Sequence, residues 1–340
     1  MPGIKTRCWL NDDFRFLRIL TPYRIFNLVG VYLGYVVSSI TKTVNLWGKP
    51  YSLSIEPTNH CNLKCPECPS GNDDLGRKRG YMDMGLYQKV LDEAAVHLVW
   101  LMLYFQGEPF LHSDLTAMVR YAKRKNVYTC ISTNGHFLSI QVCREIIHSG
   151  TDRLIISLDG SDQETYEKYR IKGNLQKVKE GIEKLSAEKR KMHAKNPLIV
   201  IQCLVFKHNQ YQLKDIKKMA TQLGADYVIF KSAQIYNYKN KKSVIPDKKK
   251  YSRYNPNADG SFYPKNKFKN RCFRIWNSCI ITFDGKMLPC CFDKKGEYPL
   301  ADLSKQNFAD GWRSRAFYAF RKKILRNRKG VAICRNCTEN

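Results

Sequence analysis

Three cysteines, Cys61, Cys65 and Cys68, stand in the run EPTNHCNLKCPECPSG, directly after a short apolar segment. Thiolates this close can hold three corners of a cubane [4Fe–4S] cluster. Three ligands for four irons leave one iron open to chelate a substrate. The competing reading is a zinc knuckle. Zinc takes four ligands, and only His60 stands near enough to be the fourth. A second set, Cys272, Cys290, Cys334 and Cys337, lies toward the C-terminus: Cys290 closes a predicted hairpin and Cys334 and Cys337 form a CxxC knuckle. Four such thiolates suit either zinc or a [4Fe–4S] cluster. Cys279 and Cys291 are spare candidates, with Cys291 the nearest exchange for Cys290. Cys8, Cys130, Cys143 and Cys203 read as ordinary thiols.

Between Tyr51 and Lys231, β-branched runs alternate with amphipathic stretches. The expected strands are Leu53–Ile55, Trp100–Phe105, Val127–Ser132, Arg153–Leu158, Leu198–Phe206 and Tyr227–Lys231. The expected helices are Leu86–His97, Asp114–Lys125, Ile140–His148, Gln176–Lys191 and Leu213–Leu223. This alternation implies βαβ units and a parallel sheet. Six units in this length fit an α/β fold of the partial (βα)6 TIM-like barrel type better than a closed eight-stranded barrel. Residues 237–270 are rich in Lys, Tyr, Asn and Pro and read as a basic linker or lid. Ile275–Phe283 and Lys286–Pro289 flank Asp284-Gly285 and read as a β-hairpin, and Trp312–Leu325 reads as a basic helix.

Three further motifs follow successive predicted strands: Gln106-Gly107-Glu108-Pro109, Ser132-Thr133-Asn134-Gly135 and Ser157-Leu158-Asp159-Gly160. Together with the cysteine triad, over residues 51–231, they resemble the radical S-adenosylmethionine (SAM) superfamily. The resemblance implies that Gln106, Gly107, Glu108 and Pro109 bind the SAM amino group. It implies that Ser132, Asn134 and Ser157 contact the rest of SAM or face the substrate. Asp159 is a candidate substrate-side acid or base, with a loop carboxylate or SAM-positioning residue the competing reading. Glu56, Gln202, Asn209 and Lys231 are further strand-end residues. Two positions depart from the family pattern: Gln106 replaces a glycine, and Glu67 stands where an aromatic usually precedes the third cysteine.

The order of Cys272, the DGKMLPC hairpin and CRNC after such a core resembles the SPASM/twitch auxiliary-cluster domain. That implies a second [4Fe–4S] cluster on Cys272, Cys290, Cys334 and Cys337, in a small C-terminal β-hairpin/helix domain. The domains expected are an N-terminal helical segment (1–50), a radical SAM core (51–236), the linker or lid (237–270) and the auxiliary domain (271–340). Four protein ligands saturate an auxiliary cluster, so electron transfer is its natural role. This favours two-electron oxidation of a small molecule (an alcohol, sugar or amino acid). A peptide- or protein-modifying maturase is the alternative, and a zinc-ribbon nucleic-acid-binding protein a more remote one.

The 340 residues carry 58 Lys+Arg against 30 Asp+Glu, a formal charge of +28. Such a surface attracts anions, here an anionic small molecule or peptide, or an acidic flavodoxin- or ferredoxin-type reductant. No nucleic acid partner is expected, because nucleic-acid-binding zinc folds lack a six-fold βα array. Met1–Asp13 has no secretory pattern, so the expectation is a cytoplasmic protein with reduced cysteines. Ile25–Ile40 is largely apolar but shorter than the ~20 residues that span a bilayer. It is expected to pack as a helix, with peripheral membrane contact through residues 14–42 the second reading.

Overall fold

The computed structural model describes residues 17–338. Cys8 and the part of the 14–42 segment before residue 17 lie outside the described residues. The elements run α1 (Pro22–Thr41), β1 (Ser52–Ile55), α2 (Met84–Ala94), β2 (Trp100–Met102), α3 (Leu115–Arg124), β3 (Tyr128–Thr133), α4 (Ile140–His148) and β4 (Arg153–Ser157). Next come α5 (Gln163–Glu167), α6 (Leu175–Lys191), β5 (Leu198–Val205), α7 (Leu213–Gln222), β6 (Tyr227–Ser232), β7 (Tyr254–Pro256) and β8 (Phe262–Pro264). The chain continues through α8 (Arg274–Asn277), β9 (Ser278–Ile281), β10 (Lys286–Leu288), β11 (Ala301–Asp302), α9 (Phe308–Trp312), α10 (Arg315–Asn327) and α11 (Ala332–Arg335). The fold is α/β with a parallel sheet.

Two compact units divide the chain. The first takes the described residues up to His60, then Leu75–Cys130, then Asn266 onward; the second takes Cys61–Asp74 and Ile131–Lys265. In the first unit β1 pairs in parallel with β2 on one side and β9 on the other. β10 runs back antiparallel to β9, and β11 antiparallel to β10. In the second unit β4, β5 and β6 pair in parallel. Side chains such as Leu53, Ile55 and Leu101 in one unit, and Leu154, Ile156 and Ile201 in the other, are sealed from solvent. Hydrophobic burial of this kind is the main driving force for both sheets.

Short polar residues start the helices. Asp83, Ser139, Asp162 and Asn174 accept from Leu86 N at 2.9 Å, Val142 N at 3.2 Å, Thr165 N at 2.8 Å and Lys177 N at 2.9 Å. Each satisfies an amide that the helix itself leaves unpaired. β2 ends at Met102 rather than Phe105, because the Ser54 hydroxyl takes Tyr104 O and turns the chain into the QGEP loop. β9 starts at Ser278 rather than Ile275, because Arg274–Asn277 makes one helical turn that buries Ile275 and Trp276. The expected helix Trp312–Leu325 is two helices, since Ser314 accepts from Phe317 N at 3.1 Å and caps a new start. Within α10, Arg321 is buried with its guanidinium 4.0 Å from the Trp312 ring and 3.9 Å from the Phe317 ring. It donates to Ile275 O and Trp312 O, both at 3.0 Å, and burial draws its pKa down to about 9.

α1 extends beyond the expected Ile25–Ile40. It has 20 residues, because Thr21 accepts from Arg24 N and Pro22 sits in the first turn, where no amide is needed. By length and composition it is long and apolar enough to cross a membrane. Its buried stripe is Arg24, Asn27, Val31, Gly34 and Ser38. Arg24 donates to Ile19 O at 2.8 Å, Asn126 O at 2.7 Å, Ala95 O at 2.8 Å and Lys125 O at 3.2 Å, which bolts the helix to the ends of α2 and α3.

His97, after α2, is buried 6.0 Å from the Phe308 ring. Burial, then the charges of Lys49 and Arg24, lower its pKa to about 4. The unfolded chain therefore binds the extra proton between about pH 6.5 and pH 4, and stability falls as pH drops through that window. Guanidinium unfolding midpoints should show a loss of about 2 kcal/mol between roughly pH 7.5 and pH 5 that is missing in His97→Phe. Parallel pH curves for the two proteins would show that His97 contributes nothing to acid sensitivity.

Candidate active site and auxiliary cavity

In the first unit, β1 delivers Glu56–His60. Glu56 is fully buried and pairs with Arg77, whose Nη1 lies 2.7 Å from Oε2; the Phe283 amide adds a hydrogen bond at 3.3 Å. Burial raises the Glu56 pKa against the opposing pull of Arg77. Thr58 donates to Gly80 O at 2.7 Å, and Asn59 clamps Lys78 O and Gly80 N at 2.8 and 2.9 Å. The QGEP loop lies on this segment. Gly107 has φ +80°, and a Cβ there would stand 2.5 Å from Thr58 O. Only glycine takes that backbone shape at that distance without strain. Glu108 N donates to His60 O at 2.7 Å, and Glu108 Oε1 accepts from Phe110 N at 3.2 Å. Gln106, Glu108 and Pro109 are all buried here.

In the second unit, Cys61, Cys65 and Cys68 pack on one core cluster with Leu63, Tyr169 and Phe206. The loop is wound tightly: Cys68 N donates to Cys65 O at 3.1 Å, and Gly71 N and Asn72 N both donate to Cys68 O at 2.9 Å. A Cβ on Gly71 would meet Cys65 N at 2.6 Å. Arg170 reaches Cys65 Sγ at 3.9 Å with Nη1 and Asp159 Oδ2 at 2.6 Å with Nε. Burial pushes the Cys65 thiol up, and Arg170 pulls it back. Burial works against the Arg170 charge, but Asp159 and Cys65 outweigh it and raise its pKa.

Asp159 also accepts from Leu204 N at 2.6 Å through Oδ1, so both its oxygens are engaged. Asn209 braces the same corner, donating to Asp159 O at 2.8 Å and Leu204 O at 2.9 Å. Asn134, past the end of β3, donates to Asn62 Oδ1 at 2.7 Å and approaches Cys61 Sγ at 4.0 Å. Ser132, half-buried, and Ser157, buried, sit toward the C-terminal ends of β3 and β4. Glu67, the departure from the family pattern, is buried; it accepts from Tyr236 N at 2.6 Å and from Lys241 Nζ at 3.5 Å. Its carboxylate ties the cysteine loop to residues 236–241. Ile245 and Tyr254, from the stretch read as a linker or lid, lie in the same core as Cys65.

Toward the C-terminus, Cys272, Cys290, Cys334 and Cys337 line one cavity with Phe292, Phe320 and Arg328. Cys279 does not line it; it is sealed in β9, where burial pushes its thiol far up. Cys291 packs against Cys290 and Cys337 but does not line the cavity. The knuckle is closed by Cys337 N on Cys334 O at 3.1 Å. Buried Arg328 donates to Cys337 Sγ at 3.3 Å and to Arg271 O at 3.1 Å. Burial carries the Cys334 thiol to about 12 and the Cys290 thiol well above its usual range. A four-thiol set in an apolar wall fits an iron–sulfur cluster, whose irons supply the positive charge that converts such thiols to thiolates. Among the described residues, no three His, Cys, Asp or Glu side chains converge on a single-ion site.

Sequence reasoning missed Arg170 and Arg328 as thiol neighbours. Arg328 lies in a run of basic residues, and nothing in the sequence separates it from the others.

Residues 55–218 match the model of the radical SAM superfamily, and residues 272–338 match the iron–sulfur cluster-binding domain SPASM. The chain belongs to the radical SAM superfamily and carries a SPASM domain toward its C-terminus. It is an enzyme that uses a catalytic [4Fe–4S] cluster, SAM and an auxiliary iron–sulfur cluster. It is 24% identical over 297 residues to the tungsten-containing aldehyde ferredoxin oxidoreductase cofactor-modifying protein of Pyrococcus furiosus, covering 79% of this chain and 82% of that one. It is 28% identical over 201 residues to the PqqA peptide cyclase of Gluconobacter oxydans, covering 58% of this chain and 54% of that one. The chain thus spans about half the length of that cyclase. Among solved structures, Streptococcus suis SuiB bound to the precursor peptide SuiA shares the fold: TM-score 0.62 and 13% identity over 89% of this chain and 74% of that one.

Gly71→Ala should force the Cys65 backbone aside. After anaerobic reconstitution, iron per chain should fall to about half the wild-type value, the auxiliary share remaining. Unchanged iron would mean that the close approach of Gly71 is not needed for cluster loading.

Proposed function

We propose that this enzyme modifies a peptide or protein side chain. The match to the PqqA peptide cyclases carries the reading. The fold shared with SuiB, solved with a precursor peptide bound, is consistent with it. This reading takes precedence over the small-molecule oxidation that the auxiliary cysteines alone favoured.

In this proposal Cys61, Cys65 and Cys68 hold the catalytic cluster, and Cys272, Cys290, Cys334 and Cys337 the auxiliary one. When bound, the catalytic cluster supplies an electron that cleaves SAM to a 5′-deoxyadenosyl radical, which removes a hydrogen atom from the substrate. Gln106, Gly107, Glu108 and Pro109 bind the SAM amino group, with Ser132, Asn134 and Ser157 placing the rest of the molecule. Asp159 is a positioning residue: with both oxygens engaged, it holds Arg170 against Cys65. Ring closure or crosslinking would remove two hydrogens from the peptide, one as a hydrogen atom to the 5′-deoxyadenosyl radical and the other as a proton to solvent and an electron, for which a cluster held by Cys272, Cys290, Cys334 and Cys337 would be the acceptor. The product is then two mass units lighter. A flavodoxin- or ferredoxin-type protein supplies the first electron.

Changing Cys61, Cys65 and Cys68 to Ala should abolish 5′-deoxyadenosine formation under dithionite while the auxiliary iron stays. Removing Cys272, Cys290, Cys334 and Cys337 should leave SAM cleavage but stop productive turnover. SAM cleavage by the triple variant would overturn the catalytic assignment.

The substrate class is tested with synthetic peptides encoded by the short reading frames flanking the gene, incubated anaerobically with SAM and dithionite. Loss of two mass units, stoichiometric with 5′-deoxyadenosine, is the expected result. Oxidation of free amino sugars, alcohols or amino acids with the same stoichiometry, and no change in any peptide, would return the assignment to a small molecule.

A further inference from the structure

Helix α1 is packed inside out. Its buried stripe holds a guanidinium, an amide, a hydroxyl and a glycine, with Val31 the only branched apolar member. Its outward face presents Tyr23, Phe26, Val29, Tyr32, Leu33 and Ile40, and Phe26 is 76% exposed. Leu17, before the helix, and Trp47, after it, are exposed as well. A surface helix in water shows the opposite arrangement, polar side out. The Tyr32 ring meets Phe273 edge-on at 6.1 Å, but Tyr23, Phe26, Val29, Leu33 and Ile40 each keep 45% or more of their surface in solvent, and burying them is favourable.

The inward anchoring is firm. Besides the four carbonyls held by Arg24, Asn27 exchanges two hydrogen bonds with Lys49, at 2.8 and 2.9 Å. Ser38 accepts from Asn45 N at 2.8 Å. The Tyr35 ring packs 5.0 Å from Phe273 and 5.8 Å from Trp276. Exposed Arg18 and Lys42 stand at the two ends of the helix.

We propose that the outward face of α1 docks on an anionic lipid bilayer, lying in the interface without crossing it. Tyr and Trp at the edges of an apolar stripe, with cations beyond them, match the layering of a membrane surface. Lipid charge is complementary to a chain of formal charge +28, whereas a second copy of this chain would bring the same charge and be repelled. Crossing is disfavoured because it would strip Arg24 from its carbonyls and expose Asn27 and Ser38 to hydrocarbon.

The test is co-sedimentation of the full-length, cluster-loaded enzyme with vesicles of phosphatidylcholine, alone or with about one third phosphatidylglycerol. Expected are at least about tenfold stronger binding to the anionic vesicles, weakening in high salt, and complete release by alkaline carbonate. The variant Phe26→Asp/Leu33→Asp should bind at least about tenfold less, with unchanged melting temperature and unchanged dithionite-driven SAM cleavage. Should that variant fail to fold, Phe26→Ser at the most exposed position is read the same way. Three results would overturn the proposal. One is wild type that stays in the supernatant with anionic vesicles. Another is retention through the carbonate wash, the mark of a spanning helix. The third is a concentration-dependent dimer that the variant dissolves, which would make a second copy the occupant.

Discussion

A thiolate is costly to bury, and the enzyme places a guanidinium against one in each of its two cysteine sets. Arg170 stands 3.9 Å from Cys65, and Arg328 stands 3.3 Å from Cys337. Each is itself out of solvent or nearly so, which would be expensive without a partner. Asp159 repays the cost for Arg170, and the carbonyl of Arg271 does part of the same for Arg328. Hydrogen bonds to cluster sulfurs also set reduction potential. With the ligand sets as proposed, the same contacts would bear on how readily each cluster takes or gives an electron.

The second unit is organised around that constraint. Tyr169 and Arg170 follow directly from α5, and the loop they cover is closed from the other side by residues 236–254. Glu67 is the clasp. An aromatic at that position would pack on a neighbour but would not accept the Tyr236 amide. The carboxylate trades one kind of contact for another and fixes a segment that composition alone marks as irregular.

Much of this was legible in the chain. The period-2 and helical periods placed six strands and the helices between them. Asp284-Gly285 placed the hairpin turn, and Gly285 indeed has φ +81°. The spacing of Cys61, Cys65 and Cys68 marked one tight loop, whereas Cys272, Cys290 and the pair Cys334 and Cys337 stand far apart in the chain and were grouped on the resemblance to the auxiliary-cluster domain; the fold lines one cavity with those four. Three things were not legible, because neither composition nor periodicity marks them. Arg170 and Arg328 are ordinary basic residues until the fold brings sulfur to them. The β7–β8 ribbon was hidden in a lysine-rich stretch. The hydropathy of α1 reported an apolar helix but not which face turns inward, which the partners of Arg24, Asn27 and Ser38 decide.

The pairing of β9 with β1 has a consequence for synthesis. Ser52–Ile55 is met on one side by Ser278–Ile281, from the far end of the chain. While the ribosome is still translating, that side of β1 is an open edge with unpaired amides, and Cys61 follows a few residues on. A C-terminal truncation that removes Ser278–Ile281 would strip a neighbour from the strand that leads to Cys61.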